Sequence, residues 1–416
     1  MPQSPPATSI LELLTHPNPS VHHEKPRSKT NTHSAKYHFP QQIRKWEEFE
    51  NVNILRAMFG GSLLREASQG NRDLNPYPIL DPDADCRISA EDDTRDLINS
   101  WNKKIVTSAL KPIQHIFHPV IWSKGDSPKH KEKHPLPPRR QEQRRHQPSR
   151  GCSLKARQPR SQSLSRLQPD SGSIAWSPPT VKSDSRSAAH RQERFVKEYK
   201  PASKWNSESF FKDGLLDESG TFIRITRNLA WPIRQAYTYC IQHMCRYGCI
   251  LTCEEAFIFR IMPREDTRGN DAKDEVSLKN ELIRNGLMEY VSIPWENHSR
   301  RGREEPDVWT VNLALWFVHI LAGNNFEASW SYVGLADEVL ILSQPAEGCD
   351  GSTLASLTSA ENPEDEQGQE SDASDSTEDS DTTNVRTPSK PKRKRESDEE
   401  DEEERIHDSF SKRQNI

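Results

Sequence analysis

Apolar residues recur at regular spacing only between residues 37 and 344 of this chain. In the region 37–122 they recur every three or four positions, which predicts helices. A first helical stretch is carried by Ile43, Trp46, Phe49, Val52, Leu55, Met58 and Phe59. A second helix is predicted from Ser89, as its N-cap, to Pro112, because three acidic residues fill its first turn and an apolar stripe follows. We expect these helices to pack on the region that follows them.

The region 164–344 combines strand-like and helical patterns in the order strand, strand, helix, three strands, helix. The predicted strands are 171–177, 194–200, 246–253, 256–261 and 287–294, and the predicted helices are 230–244 and 307–322. We therefore expect an α/β domain of roughly 180 residues, which is large enough for one hydrophobic core. Its longest apolar run, Val311–Ala322, is shorter than the roughly 20 residues of a membrane-spanning helix. No membrane partner is predicted.

Composition limits how much of the chain can fold. Only 32% of the 416 residues are hydrophobic and 30 are proline, whereas ordinary soluble domains are roughly 45–50% apolar. Segments with so few apolar residues cannot offset the entropy of ordering the chain. We therefore expect three disordered segments, at 1–36, 123–163 and 345–416, around the folded regions.

Cysteine usage predicts an intracellular protein. Seven cysteines in 416 residues do not suggest a disulfide framework, and residues 1–8 lack the apolar core of a secretory leader. Four of them, Cys240, Cys245, Cys249 and Cys253, lie close together in sequence. They span a predicted helix and strand rather than the paired loops typical of zinc sites, which favours buried thiols over a zinc site.

Charge is segregated along the chain, although the net charge is only −5. The segment 123–163 is basic and contains Arg139, Arg140, Arg144 and Arg145, which could neutralise the phosphates of a nucleic acid. The same segment has no aromatic residue on which a base could stack. A solvated linker is therefore an equally good interpretation.

The C-terminal segment 345–416 is acidic and carries one dense basic cluster. The cluster contains Lys390, Lys392, Arg393, Lys394 and Arg395. Such a cluster is typical of a nuclear import signal, so we expect an import receptor as a partner and a location in the nucleus. The acidic stretches around it could bind basic proteins such as histones, or fold back on the basic segment.

Candidate chemistry lies on the first two strands of the α/β domain. Glu198 and Lys200 are two residues apart on a predicted strand, so they point to the same side. Asp170, at the start of the neighbouring strand, could bring a second carboxylate to that place. Two carboxylates beside a lysine suit a hard cation such as Mg²⁺, which polarises a phosphodiester and lowers the pKa of bound water. A salt-bridged strand end is the alternative for this triplet alone.

A longer pattern surrounds the triplet. The strings QPDSGSIA, VKEYKPASKW and IRQAYTYCIQHMCRYGCILTCEEAFIFRI resemble the PD-(D/E)XK restriction-endonuclease-like domain of fungal proteins, which often accompanies a fungal-type kinase domain. The resemblance spans residues 164–325 and implies a mixed sheet flanked by helices. It further implies that Asp170 and Glu198 bind the metal, that Lys200 is the catalytic lysine and that Gln235 points into the site.

Two features depart from that family's pattern. Asp170 and Glu198 are 28 residues apart (198 − 170), which is long for a hairpin, so the loop 178–190 must bulge outwards. Asp184 in this loop is a rival metal ligand, and Asp170 is favoured because it opens a strand. The kinase half is also missing, since the chain has no glycine-rich loop after a strand and no H-R-D or D-F-G motif.

These features together predict a Mg²⁺-dependent nuclease or nucleic-acid-binding protein that acts in the nucleus. The alternative is a catalytically inactive nuclease-fold module whose acidic tail binds basic partners such as histones. Convergence of Asp170, Glu198 and Lys200 in space is the observation that discriminates between the two.

Overall fold

A computed structural model of the chain describes residues 6–25, 28, 30–123, 169–175, 193–264, 275–299, 305–324 and 333–340. These residues belong to one compact unit, Met1–Glu347. Their helices are α1 (Ile10–Leu14), α2 (Glu47–Glu50), α3 (Ile54–Ala57), α4 (Ser62–Ser68), α5 (Glu91–Ser100), α6 (Asn102–Leu110), α7 (Gln114–Phe117), α8 (Ser207–Lys212), α9 (Trp231–His243), α10 (Glu275–Asn285) and α11 (Val311–Asn324). Their strands are β1 (His22–His23), β2 (Gln42–Lys45), β3 (Arg87–Ile88), β4 (Val120–Ser123), β5 (Gly172–Ala175), β6 (Phe195–Tyr199), β7 (Tyr247–Leu251), β8 (Glu255–Pro263) and β9 (Gly286–Pro294).

A mixed five-stranded sheet, in the order β2-β9-β8-β7-β6, forms the centre of the fold. β6 pairs in parallel with β7, and β2 pairs in parallel with β9. β8 lies antiparallel to both of its neighbours. Helix α9 connects β6 to β7, because adjacent parallel strands need a crossover. The α/β class expected from the sequence is confirmed to this extent.

A second, two-stranded ladder of β4 and β5 lies against the outer edge of β6. The backbone of Lys197 donates to the carbonyl of Ser171 over 2.9 Å, and Ser171 donates back over 3.2 Å. A further antiparallel bridge joins Ile174 to Glu193. β5 therefore runs antiparallel to β6, and Asp170, just before Ser171, lies beside the C-terminal end of β6.

Every residue of β6 and β7 is buried, because helices cover both faces of the sheet. One core contains Phe195 and Tyr199 of β6 together with apolar residues of α1, α5, α6 and α11. The other contains Val196 of β6 and apolar residues of α8, α9 and α10. The four clustered cysteines, Cys240, Cys245, Cys249 and Cys253, are free and buried within these cores, as the sequence predicts.

The expected disorder of residues 1–36 is wrong for the part of this segment that the structure describes. Helix α1 buries four apolar side chains, and its N-cap Ser9 accepts a hydrogen bond from the Glu12 amide over 3.1 Å. The carbonyl of Leu14 accepts a hydrogen bond from the hydroxyl of Thr310, just before α11, over 2.6 Å. Five residues are too few for a periodic pattern to stand out, and the partners of α1 are remote in sequence.

The all-helical prediction for 37–122 is also wrong at its start. Residues around Ile43 form β2, which pairs with β9 and thereby joins this region to the sheet of the α/β domain. The three-residue spacing from Ile43 to Trp46 fits a helix, but pairing with a strand far along the chain determines the conformation. The regions 37–122 and 164–344 therefore share one sheet and contribute to both cores rather than forming separate domains.

The predicted second helix is divided into α5 and α6 at Trp101, whose φ and ψ are −109° and −78°. Its N-terminus is capped by Asp93 rather than by the hydroxyl of Ser89. One oxygen of Asp93 accepts hydrogen bonds from the amides of Ser89 and Ala90, each over 2.9 Å. This cap places Glu91 as the first residue of α5.

We expect Leu14→Ala to lower the free energy of unfolding by about 2–5 kcal/mol, because its fully buried side chain would leave a cavity. Chemical denaturation of the full chain measures this change. Ile223→Ala is the matched control, since Ile223 is 53% exposed and its truncation should change stability by less than about 0.5 kcal/mol. An equally small effect of Leu14→Ala would show that α1 does not belong to the core.

Candidate metal centre

The end of strand β6 positions the two residues of the E-x-K motif. Glu198 and Lys200 lie on the same side of the strand, and both side chains are almost fully buried. The Lys200 amide donates to the Leu251 carbonyl over 3.0 Å, which extends the pairing with β7 past the last strand residue. The backbone of both residues is therefore held in place by the sheet.

Asp170 reaches the same place from the start of β5. Its Oδ2 atom accepts a hydrogen bond from the backbone amide of Tyr199 over 2.9 Å. The carboxylate is thereby oriented beside Glu198, and the pairing of β5 with β6 explains how residues remote in sequence meet. Asp184, the rival ligand, lies outside the described residues.

A third carboxylate, that of Glu91, comes from the N-terminus of α5. One oxygen of each of Glu91, Asp170 and Glu198 lies within 4.8 Å of the other two. Among the residues that the structure describes, this is the one group of three or more potential metal ligands. All its donors are carboxylate oxygens, the ligands that Mg²⁺ prefers. The clustered cysteines do not form such a group.

Lys200 lies between two of the three carboxylates. Its Nζ atom donates to Glu198 Oε1 over 2.6 Å and lies 3.2 Å from Glu91 Oε1. Although burial lowers the pKa of Lys200, the negative charges of Glu198, Glu91 and Asp170 outweigh burial and raise it above its usual value. Lys200 therefore stays protonated, as one positive charge among three carboxyl groups.

Glu198 is a carboxyl group whose burial opposes ionisation. Burial raises its pKa to about 8, Lys200 opposes that rise, and the charges of Asp170 and Glu91 add to it. One ammonium group does not neutralise three carboxylates in a buried site, so a proton remains on the cluster near neutral pH. A divalent cation would supply the missing positive charge and displace this proton.

An unsatisfied oxygen supports the fit of a cation to this site. Glu198 Oε2 is buried and has no hydrogen-bond partner among the described residues. A buried carboxylate oxygen without a partner is costly, and metal coordination is one of the interactions that removes this cost. The donor set and the unpartnered oxygen together fit a hard divalent cation.

Gln235 lies on α9 and contacts a tyrosine that senses the charge of Glu198. Its Nε2 atom donates to the hydroxyl of Tyr239 over 3.0 Å, and its Oε1 atom is buried without a partner in the described part of the chain. Burial and then the charge of Glu198 raise the pKa of both Tyr239 and Tyr37. The two phenols therefore lie close enough to the site to sense Glu198, and Gln235 reaches it through Tyr239.

The structure brings together Asp170, Glu198 and Lys200, as the sequence predicts, and it pairs Gln235 with Tyr239, whose pKa the charge of Glu198 raises. Sequence reasoning missed Glu91, Tyr37 and Tyr239. Glu91 has the ordinary role of an acidic residue in the first turn of a helix, so no local signal marks it as a ligand. The basic residues Arg139, Arg140, Arg144 and Arg145 and the cluster from Lys390 to Arg395 lie outside the described residues.

We expect the stability of the metal-free protein to depend on the protonation of Glu198. Its pKa rises from 4.5 to about 8 on folding, so its contribution to stability is complete below about pH 4.5 and is lost as the pH rises through 8. Glutamine mimics the protonated carboxyl group. With a chelator present, Glu198→Gln should therefore melt at a higher temperature than the parent at pH 8, and the difference should shrink toward pH 5.

Scanning calorimetry across this pH range measures the effect, with Glu208→Gln as the control because Glu208 is exposed. A difference between Glu198→Gln and the parent that stays constant from pH 5 to pH 8 would contradict the burial of an ionisable Glu198.

Comparison with known proteins adds no relative. No protein-family model, curated protein or solved structure matches the chain. Within the described ranges, no helix has the length and apolar character needed to cross a membrane. Functional reasoning about this chain therefore starts from the geometry of the carboxylate cluster.

Proposed function

We propose that this chain is a Mg²⁺-dependent phosphodiester hydrolase that acts on nucleic acid. The observation that carries the proposal is the meeting of Glu91, Asp170 and Glu198, one carboxylate oxygen of each lying within 4.8 Å of the other two, with Lys200 beside them. Hard-cation ligands next to a lysine form the set of charges that hydrolysis of a phosphodiester requires.

The order of the elements around the site supports membership in the PD-(D/E)XK class. An acidic residue, Asp170, opens β5, and the E-x-K residues close β6. Helix α9, which carries Gln235, follows, and then β7 begins at Tyr247. The sequence resemblance implies this order, to which the chain adds α8 between β6 and α9.

The side chains of the site have separate roles in the proposed reaction. Bound Mg²⁺ would polarise the phosphodiester and lower the pKa of a coordinated water. Asp170, Glu198 and Glu91 would hold it, and the hydrogen bond from the Tyr199 amide keeps Asp170 oriented. The Lys200 ammonium is close enough to the carboxylates to orient the attacking water and to stabilise negative charge on the phosphate.

The remaining proposals concern segments outside the described residues. The cluster of Lys390, Lys392, Arg393, Lys394 and Arg395 would be read by an import receptor, which places the reaction in the nucleus. Arg139, Arg140, Arg144 and Arg145 would add phosphate contacts that do not depend on base sequence.

One observation favours a second candidate function, a nuclease fold that binds partners without catalysis. Lys200 already forms ion pairs with Glu198 and Glu91. Such a buried network can persist as a purely structural element without taking part in catalysis. In that case the acidic tail would carry the interaction with basic partners such as histones.

A nuclease assay on the full chain separates the two candidates. We expect cleavage of plasmid DNA or RNA in Mg²⁺ or Mn²⁺ and none in chelator. Glu198→Gln removes a charged ligand and Lys200→Met removes the ammonium group, so each should lower the rate at least about 100-fold. Glu208→Gln and Lys212→Met are matched controls, because both residues are exposed and lie on α8.

The melting temperature in Mg²⁺ provides a readout that is independent of cleavage. Mg²⁺ should raise the melting temperature of the parent and of both controls, and should leave Glu198→Gln unchanged, since a ligand stabilises only the state that binds it. No cleavage and no Mg²⁺-dependent shift for the parent would reject the hydrolase and favour the interaction module.

A further inference from the structure

A cleft of about 970 Å³ leads away from the metal centre along the N-terminal helical layer. Asp170 lines one end of it, and α5, α6 and the segment 75–79 line its length. Through Asp170, the cleft adjoins the site at which the proposed hydrolase would bind its metal. A substrate-binding role for this cleft rests on that proposed function, and the chemistry of its walls indicates which class of substrate it fits.

One side of the cleft continues the helix face that starts at the metal centre. Arg95 and Asn99 follow Glu91 at intervals of four residues, so all three lie along one face of α5. Lys103 and Lys104 extend this side onto α6. Arg95 forms an ion pair with Asp92 over 2.6 Å, and Lys103 and Lys104 add two further basic side chains to this lining.

The other side of the cleft is apolar. It is formed by Pro76, Tyr77, Pro78 and Ile79, and Ile79 is 78% exposed. The Tyr77 ring packs on the His16 imidazole with ring centroids 3.9 Å apart, and its hydroxyl donates to the Glu12 carbonyl over 3.3 Å. The aromatic ring is thus held in place from within the protein, and it lines the cleft.

We propose that this cleft binds a single-stranded nucleic acid, with phosphates on the side of Lys103 and Lys104 and bases on the side of Tyr77. Basic side chains that can contact phosphates, combined with aromatic and apolar surface, are the groups that bind single strands. A duplex keeps its bases stacked inside, so the apolar side would have no surface to contact. A strand in this cleft would place its backbone at Asp170.

Binding of fluorescent oligonucleotides of roughly 15 nucleotides to the full chain in chelator tests the inference without any catalysis. Oligo-dT and oligo-U distinguish DNA from RNA, and a duplex of equal length tests strandedness. The single strands should bind more tightly than the duplex. The double variant Lys103→Ala, Lys104→Ala should reduce the salt-dependence slope, log Kobs against log salt concentration, by about 1.4, or about 0.7 per lost phosphate contact.

Tyr77→Ala should weaken binding at least about fivefold with little change in the salt slope, because it removes stacking and no charge. Tyr77→Phe keeps the ring and should bind like the parent. The double variant Lys111→Ala, Lys212→Ala is the charge-matched control, since both lysines are exposed and neither lines the cleft.

Unchanged binding by both the lysine double variant and Tyr77→Ala, or tighter binding of the duplex, would overturn the inference. Neither result bears on the hydrolase proposal. That proposal is contradicted by a different result, in which the parent shows neither cleavage nor a Mg²⁺-dependent shift of its melting temperature. Conversely, loss of binding in the cleft variants supports the cleft even when cleavage is absent.

Discussion

The contacts of the buried Lys200 ammonium group are the interactions on which both the architecture and the candidate chemistry depend. It contacts Glu198 on its own strand and Glu91 on α5, and so it ties the helical layer to the edge of the sheet. Asp170 completes the cluster through the backbone of β6. Removing the ammonium would leave buried carboxylates without their counter-charge, which explains why one side chain supports fold and site together.

The arrangement also explains why the site costs stability in the absence of a cation. Three carboxyl groups surround one ammonium, and burial raises the pKa of Glu198 to about 8. A purely structural ion pair needs one acid for one base, and the excess of acids is more typical of functional sites, where shifted pKa values cluster. The Glu198 oxygen without a hydrogen-bond partner reflects the same excess of carboxyl groups over ammonium groups.

Several parts of the fold were predictable because they depend on local pattern. The alternation in β6 places Glu198 and Lys200 on one side, and Pro232 in the first turn of α9 marks that helix.

The parts of the fold that were missed depend on contacts between segments that are remote in sequence. Ile43 belongs to a strand only because β9 pairs with it, and α1 is ordered by residues of α4, α6 and α11. Glu91 becomes a potential ligand only once α5 packs beside β6, so the pattern of its own helix could not identify it.

Anomalous diffraction from crystals of the full chain soaked in Mn²⁺ would test the central claim most directly. If Mg²⁺ binds at this cluster, the map should show a peak bound by Asp170, Glu198 and Glu91 at oxygen distances of about 2.0–2.2 Å, with the Lys200 ammonium moved away from at least one carboxylate. The absence of a peak at these three residues, with Lys200 still bridging Glu198 and Glu91 at high Mn²⁺ concentration, would contradict it and leave the cluster as a structural ion-pair network.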